Sequence, residues 1–370
     1  MEFDDAPTTK FKRFFNLDGC ERYAPDSFHS PPSTAGFLGA NLMKKKSTLG
    51  LGAIALGMLI AGQAVAADEY HALLKGRKFA EVERATTAKL AKDPADANAM
   101  IARTRAILGM RDGRYEEAAA QAEKCIARHP DNGGCHLALG KALGSKAVAG
   151  GITSAIGYAG TIRDAFKKAV DINPRDYEAR FALLDYYMMA PFIVGGGTGK
   201  AETLARETAT LNAEAGKLMT VSLDLKEDNV ASAEAGALAL KPGLDDAIQQ
   251  RHEEQLMAIG ATHLNGKKYG DATRVLGEAQ KRYPDSPLIA FVVARVHQEQ
   301  GKHREALAIL DQVVIKTPLP HVHYRMAKSL QAVGDKPKAA AAFEKALSFK
   351  TGLAKTMRTD AEEQLKTLKI

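Results

Sequence analysis

Tryptophan is absent from this 370-residue chain, and Phe and Tyr together bring the aromatic share to only 6%. A chain of this length does not form one ordinary core; it is either two domains or an array in which each unit packs only on its neighbours. Aromatics that would stack on bases are scarce and no basic cluster stands out, so nucleic-acid binding is not expected. The three cysteines, Cys20, Cys125 and Cys135, show no C-x-x-C spacing, which removes the usual sign of thiol redox catalysis or a zinc site. The ten histidines include no H-E-x-x-H, and the closest pair, His321-Val322-His323, would point to different faces of a helix. No G-x-S-x-G elbow gives a nucleophile its context. No catalytic residue, metal site or cofactor is therefore expected, and the chain reads as a non-enzyme.

What is abundant is Ala, Leu, Lys and Glu, residues of high helix propensity whose smaller members let helices approach closely. An all-α array follows. The net charge is +7, of which residues 1–66 contribute +1, from seven Lys/Arg against six Asp/Glu, leaving +6 on the rest. That excess alternates in sign along helical segments, as on solvated faces.

Residues 43 to 67 begin with Met43 and three lysines, continue through an apolar run from Leu49 to Ala61, and end in Ala64-Val65-Ala66-Ala67. This is the pattern of a secretory signal peptide with cleavage after Ala66 or Ala67. The run is shorter than the roughly 20 residues that span a bilayer, so a membrane anchor through an uncleaved signal is the lesser alternative. The expected location is periplasmic or secreted, with no stable membrane insertion after cleavage. Residues 1–42 precede Met43 and are read as a mis-assigned upstream extension, or else as a disordered tail.

A pattern recurs along the remainder. Tyr115, Ala118, Cys125 and Pro130 are spaced by three, seven and five; Tyr269, Ala272, Ala279 and Pro284, then His303, Ala306, Val313 and Pro318, repeat the same steps. Ala169 with Pro174, and Ala339 with Ala346, match in part. Small residues seven apart lie on one helix face, two turns apart, and a following proline stops the helix. Gly113, Gly266, Gly301 and Gly334 stand where a left-handed turn would reverse the chain. Gly140 and Gly260 supply small residues on the preceding helices.

These residues resemble the tetratricopeptide repeat family over nearly all of 68–370. The resemblance implies a superhelical solenoid of about eight antiparallel helix pairs, the first degenerate, with a C-terminal capping helix from Leu353 to Leu368. Two insertions, near 145–160 and 190–200, interrupt it; a lengthened hairpin followed by the turn Ala190-Pro191-Phe192-Ile193-Val194-Gly195-Gly196 resembles a subgroup of exported bacterial repeat proteins to which no activity attaches.

Within that frame, Gly195-Gly196-Gly197-Thr198-Gly199-Lys200 is not a phosphate loop. Val194 replaces the first glycine and Ala201 the hydroxyl residue, so a wide turn is the better reading. Cys125 and Cys135 are either a disulfide across the turn at Pro130 or two buried thiols. In the family the first helix of each pair lines a concave groove. Its outward stripe here gives Arg103, Lys141, Tyr186, Met257, Phe291, Arg295, Tyr324 and Lys328 as candidate contacts. The recurring basic residues Lys141, Arg295 and Lys328 suit a protein or peptide that is acidic or carries a free carboxylate. The rival expectation is an accessory subunit of an envelope enzyme or transport complex, docking through the 145–200 edge.

Overall fold

The computed structural model describes residues 64–349 and 352–368. The expected upstream extension, residues 1–42, and the expected signal peptide as far as residue 63 lie outside the described residues. Sixteen α-helices follow in order: α1 Ala64–Lys75, α2 Phe79–Lys92, α3 Ala97–Met110, α4 Tyr115–Arg128, α5 Gly133–Ile172, α6 Tyr177–Met189, α7 Thr198–Leu211, α8 Ala213–Lys226, α9 Val230–Ala239, α10 Asp246–Asn265, α11 Tyr269–Arg282, α12 Pro287–Glu299, α13 His303–Lys316, α14 Pro320–Ala332, α15 Lys336–Ser348 and α16 Lys355–Leu368. A single 3-10 turn, Phe192–Val194, interrupts them.

The forty-residue α5 is two helices in one. Gly151, at φ 76° and ψ −166°, breaks it. Its limbs fold back on each other, so that Phe166 fills the space beside Gly140 and Lys146 lies over the Tyr158 ring at 4.8 Å. Counting these limbs as a pair, the described chain forms eight antiparallel pairs, α1/α2 through α14/α15, with α16 as the cap. The insertion at 145–160 is thus a helical extension of both limbs, and the insertion at 190–200 is an irregular turn between α6 and α7.

First helices contact first helices along the array: α1 with α3, α3 with α5, α6 with α8, α8 with α10, α10 with α12, α12 with α14, and α14 with α16. They form one continuous inner layer, and the second helices form the outer one. The core between the layers is built on small residues. Ala118 and Cys125, Ala272 and Ala279, and Ala339 and Ala346 are wholly buried, as is Ala306 with Val313 nearly so. Each unit gains its buried apolar area only from its neighbours, so stability accumulates by nearest-neighbour contacts.

Local chemistry fixes both ends of the inner helices. Side-chain oxygens of Asp96, Asn132, Asp176, Asn212, Asp245 and Ser286 accept from amides in the first turn of α3, α5, α6, α8, α10 and α12, supplying partners to helix-end N–H groups that otherwise have none. At the other end, the left-handed residue sits two positions before the second helix: Arg77, Gly113, Asp228, Lys267, Gly301 and Gly334. This corrects one expectation. Gly266 has φ −78°, and the left-handed step falls on Lys267 at φ 58°, whose amide donates to Leu264 O while that of Lys268 donates to His263 O.

Cys125 of α4 and Cys135 of α5 are joined, with Cα atoms 5.5 Å apart. The tie closes the turn at Pro130.

Candidate functional site on the inner helix face

The eight inner-face candidates divide into two groups. In the first half of the array the side chains are spent on the fold. Lys141 is buried and donates to Glu178 Oε1 at 2.5 Å, and Arg105 of α3 reaches the same oxygen. Burial raises the Glu178 carboxyl, but the two cations outweigh it and hold the group below its ordinary value. Arg103 pairs with Glu117 at 3.2 Å. Tyr186 is buried, and its hydroxyl donates to Val194 O at 2.6 Å, pinning the glycine-rich turn. Lys141 and Tyr186 therefore lie inside the structure and are not open to a partner. For Lys141 the reason is Glu178 at the start of the neighbouring inner helix, and for Tyr186 the carbonyl of Val194 in the inserted turn, neither of which spacing within one repeat reveals.

A further ion pair crosses the inner layer between α6 and α10. Arg251 donates to Asp185 at 2.6 Å and lies over the Phe181 ring at 4.8 Å, both side chains largely buried. This rivet bypasses α8.

In the second half the face is more open. Met257 and Phe291 are half-buried. Arg295 donates to the amide oxygen of Asn265 at 3.2 Å, and its Nε is buried with no acceptor. Tyr324 is buried and donates to Asp360 Oδ2 at 2.7 Å; Lys328 reaches the same carboxylate at 3.2 Å. Asp360 belongs to α16, so the cap's own carboxylate occupies the last basic position of the stripe, and of the basic residues singled out there only Arg295 lacks a carboxylate. Further along α12 is a cavity of about 340 Å³, lined among others by Gln298, Glu299, His303, Arg325 and Lys328. Gln298 is buried, with its amide nitrogen donating to Ser329 Oγ at 2.6 Å and its Oε1 without a donor.

The sequence stripe missed His321 and Arg325 on α14. The His321 ring meets Phe291 edge-on, centroids 5.0 Å apart. Burial, and then the charges of Arg111, Arg325, Arg295 and Arg77, push its imidazole down to about 3. Arg325 faces Glu299 at 3.9 Å. His323 points elsewhere, against Phe349 at 5.9 Å.

The insertion edge is of different character. Val148, Ile152 and Ile156 near the tip of the α5 hairpin, with Phe192 and Ile193 in the turn, make up five of the seven exposed large apolar side chains among the described residues. The turn that presents Phe192 and Ile193 is rigidly made: Gly197 N donates to Tyr187 O, Lys200 Nζ to Gly195 O, and a Cβ at Gly196 would fall 1.8 Å from Ala190 O. Among the described residues no group of three or more His, Cys, Asp or Glu is placed to hold a metal, and no helix is long and apolar enough to cross a membrane.

Comparison with known proteins agrees with this architecture. The tetratricopeptide repeat family model matches residues 264–332, from the end of α10 through α14. No curated protein sequence matches. Among solved structures, yeast Tom70 superposes with a TM-score of 0.57 at 11% identity, over 86% of this chain and 68% of that one. A tetratricopeptide repeat protein from Parabacteroides merdae gives 0.38 at 14% identity, over 82% and 97%. The APC/C hetero-tetramer Cut9-Hcn1 gives 0.43 at 14% identity; this chain spans 57% of the length of that one, with 84% of its own residues covered. The chain resembles tetratricopeptide repeat proteins and is an all-α repeat solenoid.

Proposed function

We propose that the chain is a non-catalytic scaffold that binds a protein or peptide segment along the inner face of its second half. The observation that carries this reading is Arg295: a partly buried guanidinium one turn along α12 from half-buried Phe291, with an orphaned Nε and only an amide oxygen as partner. A buried donor left without an acceptor costs about 1–3 kcal/mol, and an incoming carboxylate would supply one. The preformed curvature of a repeat array lowers the ordering cost of binding an extended segment. Export through the Met43–Ala67 segment would place this activity in the cell envelope or outside the cell. Pull-down from envelope extract with wild type and Arg295→Glu, with N-terminal sequencing of the exported protein, tests both parts. Equal recovery of the same partners by both proteins would sink the inner-face assignment, and a chain that begins before Met43 would sink export by this signal.

A second reading has its own support. Five exposed apolar side chains on the two neighbouring insertions suit docking against an enzyme or transport complex of the envelope. Phe192→Ser with Ile193→Ser removes two of them, 81% and 85% exposed, without touching the buried frame of the turn. Loss of a co-purifying complex in that variant, with the Arg295→Glu variant unaffected, favours the edge over the groove.

A further inference from the structure

The inner face continues past Arg295. One helical turn on, the end of α12 and the last turns of α14 border the cavity of about 340 Å³, with Gln298, Glu299, His303, Arg325, Lys328 and Gln331 in its wall. The Gln298 side chain is 8% exposed, and its orientation is fixed. Its amide nitrogen donates to Arg325 O at 2.7 Å and to Ser329 Oγ at 2.6 Å, so turning the amide over would set its oxygen against a carbonyl. The unspent atom of the amide is Oε1, which has no donor. A buried acceptor in this condition calls for an N–H or O–H group. Two other groups of the wall have capacity left. The His303 ring Nδ1 is buried without a partner. The half-exposed Glu299 carboxylate faces Arg325 Nη1 at 3.9 Å, too far for a hydrogen bond. Charge in the wall balances, because Glu299 opposes Arg325, and Lys328 is matched by Asp360 of α16 at 3.2 Å.

A ligand that satisfies this wall brings donors for Gln298 Oε1 and Glu299, a partner for the His303 ring, and no net charge. A carboxylate has no donor and would face two acceptors; an ammonium or guanidinium has no acceptor and would meet Lys328 and Arg325. A primary carboxamide is neutral and carries two N–H donors and a carbonyl. We infer that the cavity is a recognition pocket for the side-chain amide of a Gln or Asn in the bound segment. Its NH2 group donates to Gln298 Oε1 and Glu299, and its oxygen accepts from His303. The inference rests on the inner-face reading above and adds a sequence preference to it. Arg295 and Glu299 are four residues apart on one face of α12, about 6 Å along its axis. Alternate side chains of an extended peptide are about 6.6 Å apart. A segment whose acidic side chain meets Arg295 therefore places an amide in the cavity two residues away, as acid-x-amide in one chain direction or amide-x-acid in the other.

Fluorescence anisotropy on the full chain tests it, with labelled peptides Gly-Glu-Ala-Xaa-Ala-Gly and the same peptides in reversed order. Xaa is Gln, Glu or Met, side chains of nearly equal size. In the better-bound order the Gln peptide is expected to bind at least about tenfold more tightly than its Met and Glu counterparts. That preference should shrink in Glu299→Ala, vanish in Gln298→Met, and persist at raised salt, which screens the Arg295 contribution. Circular dichroism melts check that the variants fold, and the half-exposed position of Glu299 keeps the test open should Gln298→Met fail to. Equal binding of the three peptides, all weakened by Arg295→Gln, overturns the amide pocket and leaves the inner-face reading standing. A Gln preference that survives both pocket variants also overturns the pocket. A preference lost in Gln298→Met, with binding indifferent to Arg295→Gln, supports the pocket and overturns the carboxylate role of Arg295. No binding of any peptide by the wild type overturns both.

Discussion

A single side chain decides how close two helices of a pair can come, and α5 carries both outcomes on one limb. A Cβ on Gly140 would lie 2.4 Å from Phe166 Cε1, an aromatic ring with no room to retreat, whereas a Cβ on Gly144 meets nothing within 4 Å. Gly140→Ala should therefore destabilise by about 1–3 kcal/mol through overpacking. Gly144→Ala, one turn later, should stabilise by about 1 kcal/mol through helix propensity. Opposite shifts of the urea midpoint are the expected result, and shifts of one sign would contradict the packing. The same scale holds a strained position that the sequence disguised. Glycine at 266 looks like the reversal point, but the turn needs its left-handed residue two places before the next helix, and that is Lys267. A lysine there pays about 1–2 kcal/mol against a glycine's larger loss of chain entropy, roughly 0.5–1 kcal/mol. Lys267→Gly should raise the thermal midpoint by an amount equivalent to about 0.5–1 kcal/mol, and a fall would show that the lysine side chain stabilises the turn in another way.

At the scale of elements, the repeat was readable because its rules are local. Small residues seven apart, a stop five later and a turn between helices place α4, α11 and α13 from sequence. A second local signal lay beside it unread: Pro94, Pro130, Pro174 and Pro284 are each followed two residues later by Asp, Asn, Asp or Ser, and that residue caps the next inner helix. Contacts between inner helices were not legible, since nothing in one repeat says which carboxylate of another will face it. Glu178 is the instructive case. It joins α3, α5 and α6 through Arg105 and Lys141, and this partnership is why Lys141 is unavailable to a ligand. Its depressed carboxyl gives stability that is fully present above its ordinary value of 4.5 and is lost as pH falls below that value toward the folded one. Wild type should thus lose more stability between pH 7 and roughly pH 3 than Glu178→Gln does, as read by guanidinium midpoints at the two pH values. Equal losses would mean that the cations are no better partners in the folded chain than water is in the unfolded one.

For the whole molecule, the question is what holds a chain of nearest-neighbour contacts in one curvature. A repeat array has no long-range core, so its overall shape is a sum of small rotations that weak forces can alter. Three features among the described residues act beyond neighbours. Arg105 with Glu178 ties α3 to α6, Arg251 with Asp185 rivets α10 directly to α6, and Lys75 with His71 fastens α1 to Asp246. The last, a clasp, is the most consequential, because it closes the array on itself with half-exposed groups that are individually weak. Removing it should change shape without melting helices. Asp246→Ala is expected to leave the helical circular dichroism and the cooperative transition of α3–α16 as they are, while small-angle X-ray scattering shows a larger radius of gyration and a longer maximum dimension. Raised salt should open the wild type in the same direction, since a partly exposed ion pair is screened within a Debye length of about 10 Å at 0.1 M. If neither the variant nor salt changes the scattering curve, the curvature is fixed by the packing of the inner layer alone, and the clasp follows the shape of the superhelix without determining it.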